Sequence, residues 1–139
     1  MHGLGAPAAV LRADERDLAR AGAPEGARLL PYFDSYLLGH RAHETVADGA
    51  HHRHVFRPAG WVAPVVLLDG RAAGVWGATI ERGRLRLAVR GFRRWPRGTL
   101  ARLDREAREL ARFLGVPYGG RRAGGAAAPP PAGPAGQPF

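Results

Sequence analysis

Residues 61–92, WVAPVVLLDGRAAGVWGATIERGRLRLAVRGF, decide the fold. The runs WVAPVVLL (61–68) and RAAGVWGATI (71–80) flank Asp69-Gly70. A two-residue Asp-Gly link supplies the positive-φ positions of a type I′ turn, whose twist matches the strands it joins, so the pair reads as a β-hairpin. Pro64 donates no ladder hydrogen bond and points to an edge strand or a bulge there. A second turn at Glu81-Arg82-Gly83 leads into RLRLAVRGF (84–92), which alternates at its start. Leu85, Leu87 and Val89 take one face; Arg84, Arg86 and Arg90 take the other.

C-terminal to this meander, residues 99–114 predict a helix. Leu100, Leu103, Ala107, Leu110, Ala111 and Leu114 form an apolar stripe at helical spacing. Thr99 is the expected N-cap, Gly115 the C′ glycine, and Pro117 follows. Residues 119–139 are mostly Gly, Ala and Pro with almost nothing to bury, and predict a disordered tail. N-terminal to the meander, residues 14–20 predict a charged helical turn with Leu18 as its one large apolar residue. In RLLPYFDSYLLGH (28–40), Tyr32, Phe33, Tyr36 and Leu37 fall at helical spacing and predict a short buried helix or tight turn. Residues 41–60, rich in His, Gly and Arg, read as a loop with room for one helical turn. The expected fold class is α+β: a small β-meander of about three strands or a partial barrel over residues 1–118, with helical turns and room for another strand from the N-terminal part, closed by a C-terminal helix and followed by the tail.

Composition narrows the function. The 139 residues contain no cysteine, which excludes disulfides, Cys-ligated metals and a Cys nucleophile. No apolar run approaches a membrane span, and the N-terminus lacks a secretory pattern, so a cytoplasmic protein is expected. All 21 basic residues are arginine. Residues 1–79 hold 8 Arg and 8 acids; residues 80–122 hold 13 Arg and 4 acids, so the whole net charge of +9 sits in that one segment. A localised excess of this kind is the footprint of a polyanion partner.

Three sets of residues are candidates for chemistry. Arg82, Arg84, Arg86, Arg90, Arg93, Arg94 and Arg97, with Trp95 among them, suit nucleic acid, because guanidinium forks bind phosphate and an aromatic ring stacks on bases. The competing reading is a solvated sheet face in an arginine-rich chain, with Trp95 capping the core. His51, His52 and His54, with His40 and His43 upstream, are of a metal-ligating type, yet an exposed basic loop explains them without a metal, and no metal or cofactor is expected. Asp34 beside His40, Arg41 and His43 lacks a nucleophile or a second carboxylate and reads as a structural acid bonding backbone N–H groups or Arg41.

The order LLPYFDSYLLGHR (29–41), a His/Arg-rich loop, GWVAPVVLLDGRAAGVW (60–76), a basic strand and a helix ending FLG (113–115) resembles a bacterial winged-helix DNA-binding family that includes glycosylases acting on alkylated and crosslinked DNA. The likeness spans about residues 8–115 and implies the C-terminal β-barrel portion that follows tandem winged-helix domains in that family. Its glycosylase members use two glutamines flanking an aliphatic residue, whereas Gln137 is the single glutamine here, so the resemblance carries over no catalytic residue. The expectation is therefore a truncated, non-catalytic DNA-binding module that contacts phosphates weakly and salt-sensitively, and not an enzyme. No membrane partner is expected, and no small-molecule substrate is inferred. The alternative is the C-terminal portion of such a glycosylase, its catalytic part lying elsewhere.

Overall fold

A computed structural model describes residues 10–39 and 46–122. The elements run α1 (Glu15–Arg20), β1 (Ala27–Leu30), α2 (Ser35–Gly39), α3 (Gly49–Val55), β2 (Val65–Leu68), β3 (Arg71–Glu81), β4 (Arg84–Gly91), α4 (Thr99–Phe113) and β5 (Tyr118–Arg121). The five strands form one open sheet in the order β1-β2-β3-β4-β5. The first three pairings are antiparallel, and β5 joins β4 in parallel after the α4 crossover. The fold is thus α+β, a meander whose two edge strands, β1 and β5, both touch α4. One helix can touch both edges only if the sheet curls around it, as in a partial barrel.

Both hairpins have the backbone that their sequences demand. Asp69 and Gly70 adopt φ 48° and 78°, and Arg82 and Gly83 adopt φ 50° and 71°, each pair the signature of a type I′ turn. The first turn is clasped from outside: the Gly26 N–H donates to Asp69 Oδ1 at 2.8 Å, and the Tyr36 hydroxyl donates to the Gly70 carbonyl at 2.9 Å. The register of β2 on β3 shifts between Val66 and Leu67, which leaves Ala73 as a bulged residue between the pairs Val66–Gly74 and Leu67–Ala72.

The sheet carries a core on each face. On the α4 face, Ala27, Val66, Trp76, Leu87, Leu103 and Ala107 form a core flanked by Leu29, Leu68, Val89, Trp95 and Tyr118. Trp76 is buried there and its indole N–H donates to the Leu30 carbonyl at 2.8 Å, which satisfies the polar end of an otherwise apolar side chain. On the opposite face, Leu37, Val46, Ala47, Val55, Val62 and Val65 form a second core beneath α2 and α3. The α4 stripe settles on Thr99, Leu103, Ala107 and Ala111. At its end, the Gly115 N–H reaches Arg112 O and the Val116 N–H reaches Ala111 O, a Schellman motif with Gly115 at φ 68°.

Several sequence expectations need correction. Thr99 is not the N-cap: Gly98, at φ 80°, holds that position, and Thr99 is buried as the first helical residue. Leu100 leaves the buried stripe and is 41% exposed. Pro64 does not mark an edge, since β2 lies between β1 and β3; it precedes the strand and accepts from the Trp76 N–H through its carbonyl. Residues 27–30 are a strand and not part of a helix, and Tyr32 and Phe33 pack on Trp61, leaving Leu37 as the buried residue of α2. The boundary at 118/119 falls inside β5. Gly119 supports that strand because a Cβ there would lie 2.9 Å from Arg84 Cβ and from Arg86 Cδ, so only a glycine lets the chain run this close to β4. Asp104 ties β5 to α4, accepting from the Tyr118 hydroxyl at 2.7 Å and pairing with Arg121 at 3.0 Å.

At the end of β4, the pair Gly74–Gly91 forms a side-chain-free floor on the α4 face. Trp95 lies on that floor. A Cβ at Gly91 would sit 2.0 Å from the Trp95 Nε1, and one at Gly74 would sit 2.4 Å from the Arg90 carbonyl and 3.0 Å from the indole. The indole N–H donates to the carbonyl of the bulged Ala73 at 3.2 Å. Gly91→Ala should therefore cost about 1–3 kcal/mol through overpacking. Gly77→Ala, in the neighbouring strand β3 but with open space at its Cβ, should change the denaturant midpoint far less. Equal midpoint shifts for the two variants would refute the slot.

Candidate nucleic-acid interface

The strand β4 carries its arginines where the alternation places them. Leu85 and Leu87 are buried, while Arg84, Arg86 and Arg90 share the opposite face with Ala88. Across the ladder this face continues into Val75, Gly77 and Thr79, paired with Arg90, Ala88 and Arg86 respectively. The short side chains of Gly77 and Ala88 leave the middle of the ribbon low, with guanidinium groups on either side of it. From Arg84 to Arg90 the row extends about 20 Å at the usual strand rise.

The seven arginines singled out from the sequence divide into two groups. Arg82 stands exposed at the β3–β4 turn, next to Arg84. Arg93, Arg94 and Arg97 lie at the other end of β4, on the segment that links it to α4. That segment is pinned on both faces of the sheet. Phe92 joins the core beneath α3, where His51 stacks on it with ring centroids 4.7 Å apart, and Trp95 occupies the glycine slot on the α4 face.

Among the described residues, two of the seven have partners. Arg86 donates through Nη1 to the Gly119 carbonyl, which orients the guanidinium and leaves its charge uncompensated. Arg93 pairs with Asp48 Oδ2 at 3.2 Å, while Asp48 Oδ1 accepts from Arg71 at 2.7 Å. The Arg71 hydrogen bond, with the charges of Arg71, Arg93 and His51, holds the Asp48 carboxyl below the usual aspartate range. Among the described residues Arg82, Arg84, Arg90, Arg94 and Arg97 face no acidic partner within salt-bridge distance. The arginines of α4 stand among acids. Arg112 pairs with Glu109, and Arg102 and Arg105 line a mixed-sign cleft with Glu25, Glu106 and Glu109.

The histidines act as aromatic surface. His51 and His54 lie against Phe92 and His52 against Phe56, on α3 and not on a loop. Among the described residues no three His, Asp or Glu side chains converge as a metal site; His40 and His43 lie outside the described residues. Asp34 accepts from the Tyr36 N–H at 2.9 Å and opens α2, a structural role; Arg41 lies outside the described residues. No helix among the described residues is long and apolar enough to cross a membrane.

The sequence reading missed what surrounds the arginines. Val89, Gly91, Trp95, Pro96, Gly98, Leu100 and Ala101 form the apolar floor of a groove of about 610 Å³, and Arg93, Arg94 and Arg97 complete its lining. The available signal was Gly91, a glycine closing an alternating strand four residues before a tryptophan.

Burial, followed by the charges of Arg90 and Arg53, holds His54 below the usual histidine range. A histidine whose folded value is depressed resists a proton that the unfolded chain accepts. Stability should thus fall as pH drops below about 6.5. The thermal midpoint of the parent should decline more steeply from pH 7 to pH 5 than that of His54→Gln. Parallel curves would contradict this assignment.

Residues 3–113 match the family model described as DNA glycosylase AlkZ-like. The chain is 38% identical over 113 residues to an interstrand DNA cross-link repair glycosylase of Streptomyces sahachiroi, a match covering 81% of this chain and 29% of that protein. The solved structure of the Streptomyces sahachiroi DNA glycosylase AlkZ superimposes with a TM-score of 0.67 at 37% identity, covering 81% of this chain and 30% of that one. The chain therefore spans about three-tenths of the length of the relative it matches. These findings overturn the expectation that the chain has no enzymatic identity, since the family and the relative are both named as glycosylases. That expectation rested on a glutamine pair missing from 139 residues, and a missing motif carries no weight for a chain matching less than a third of its relative.

Proposed function

The chain belongs to the AlkZ-like DNA glycosylase family, and from that membership we propose that it is a portion of a glycosylase for alkylated or crosslinked DNA, in which it holds the sugar-phosphate backbone. The observation that carries this reading is the row of arginines on one face of β4, Arg84 and Arg86 on its open part and Arg90 partly buried at the inner end. Arg84 and Arg86 are alternate residues about 6.6–6.8 Å apart, close to the distance between neighbouring phosphates on one strand of B-DNA, and Arg90 lies about 13 Å beyond Arg86, two such steps further along. Arg82 extends the row at the turn, and Arg93, Arg94 and Arg97 extend the positive field at the far end. Contacts to phosphate position a duplex without reading its sequence. A DNA substrate also accords with a cytoplasmic location.

Backbone binding through counterion release fixes the salt dependence. Four contacts give a slope of about −3.6 in log K against log salt, or a loss of about 150-fold between 50 and 200 mM. Arg84→Ala/Arg86→Ala/Arg90→Ala should weaken duplex binding and flatten the slope by about 2–3. Unchanged affinity and slope would reduce the row to a solvated face.

The glycosylase part of the reading is tested by transplantation. Residues 10–122 should replace the matching segment of the Streptomyces sahachiroi glycosylase with retention of base release from crosslinked DNA. The same chimera carrying the triple substitution should lose most of that activity at 150 mM salt. A folded chimera that binds duplex DNA but releases no base would refute the assignment of this chain to such an enzyme.

A further inference from the structure

The groove between β4 and the start of α4 has a composition that backbone contact alone does not explain. Its floor is apolar, formed by Val89, Trp95, Pro96, Leu100 and Ala101, and Leu100 is 41% exposed there although it belongs to an amphipathic helix that had a core to join. Its charged lining residues are all arginines. Arg94 and Arg97 face no acid among the described residues, and Arg93 is shared with Asp48. The groove holds about 610 Å³, enough for a nucleotide. Its frame is rigid at both ends: Trp95 is held in the glycine slot and by the Ala73 carbonyl, and Gly98, at φ 80°, turns the chain directly into α4. An apolar floor rimmed by cations complements a ligand that is flat and apolar at one end and anionic at the other. Phosphate alone needs no apolar floor, and a neutral apolar molecule needs no arginines.

We infer that this groove is a subsite for one unpaired DNA nucleotide, its base lying on the Trp95–Pro96–Leu100 floor and its flanking phosphates held by Arg94 and Arg97. The inference rests on the DNA-binding reading and adds to it a preference for a base freed from its stack. The β4 row holds the duplex by charge; the groove accepts a nucleotide that the duplex has released, as happens next to a lesion or at a strand end. A base in contact with an apolar and aromatic floor contributes enough for the groove to distinguish a nucleotide with a base from one without.

The test compares a thymidine tetranucleotide with the same tetranucleotide made abasic. Affinity and the indole N–H resonances of Trp61, Trp76 and Trp95 are followed together, so that folding and site are read in one spectrum. The parent should bind the thymidine form on the order of tenfold more tightly than the abasic form, with the Trp95 resonance moving and the Trp76 resonance fixed. Ala101→Phe, which fills the groove from an exposed helix position, should abolish the preference while leaving duplex binding and its salt slope intact. Arg94→Gln/Arg97→Gln should weaken both tetranucleotides, whereas Arg84→Ala/Arg86→Ala/Arg90→Ala should leave the preference for the base unchanged. Equal affinity for the two tetranucleotides, a preference that survives Ala101→Phe, or the same Trp95 shift with inorganic phosphate alone would each overturn the subsite and leave the backbone-binding reading standing. A parent chain that binds neither tetranucleotide nor duplex at low salt would overturn both.

Discussion

Trp95 rests on two glycines that face each other across the β3–β4 ladder, and the geometry of the basic segment depends on that contact. Any side chain at Gly91 would occupy the space of the indole, and any side chain at Gly74 would press on both the indole and the β4 backbone. The bulge at Ala73 adds a polar anchor. It takes a carbonyl out of the regular ladder and presents it to the Trp95 indole N–H, and the same carbonyl accepts the Phe92 backbone N–H at 2.9 Å. Phe92 and Trp95 then leave the strand toward opposite cores. The arginines between and after them, Arg93, Arg94 and Arg97, are thereby displayed from a backbone that is fixed at both ends, which limits the entropy lost when they bind an anion.

The same economy runs through the sheet. Its α4 face is closed by a helix that reaches both edge strands, and half of its other face is closed by α2 and α3. What remains open is the outer half of the β3–β4 ribbon, and that is where Arg84 and Arg86 stand. The acids of the chain are largely spent elsewhere: Asp104 on Tyr118 and Arg121, Asp48 on Arg71 and Arg93, Asp69 on Gly26, Asp34 on α2, and Glu106 and Glu109 on arginines of the first and last parts of the fold. The positive field of β4 and its following segment therefore results from placement as much as from composition.

Much of this was legible in the sequence because local rules act alone there. Asp69-Gly70 and Arg82-Gly83 determine their turns, the alternation from Arg84 onward determines the two faces of β4, and Leu103, Ala107 and Ala111 with Gly115 determine the run and end of α4. What was not legible depends on contacts between distant segments. In Tyr118-Gly119-Gly120-Arg121 two glycines outweigh the strand preference of Tyr118, and the segment becomes β5 because Gly119 fits against Arg84 and Arg86 and because Asp104 holds Tyr118. Ala27–Leu30 becomes a strand because β2 offers it an edge, against the helical spacing of the residues that follow. The arginine set could be named from sequence, but its division into a strand row and a groove rim could not, since that division is made by Trp95 folding back onto Gly74 and Gly91.

The central claim is that Trp95 is a clamp and not a free stacking residue, so that its indole N–H is engaged and the basic segment is preorganised. Hydrogen exchange of the three indole N–H groups in the unliganded protein tests this most directly. The account predicts that the Trp95 indole is protected, approaching the protection of Trp76, whose N–H is bound to the Leu30 carbonyl in the core. Exchange of the Trp95 indole at the rate of an unstructured peptide would contradict it.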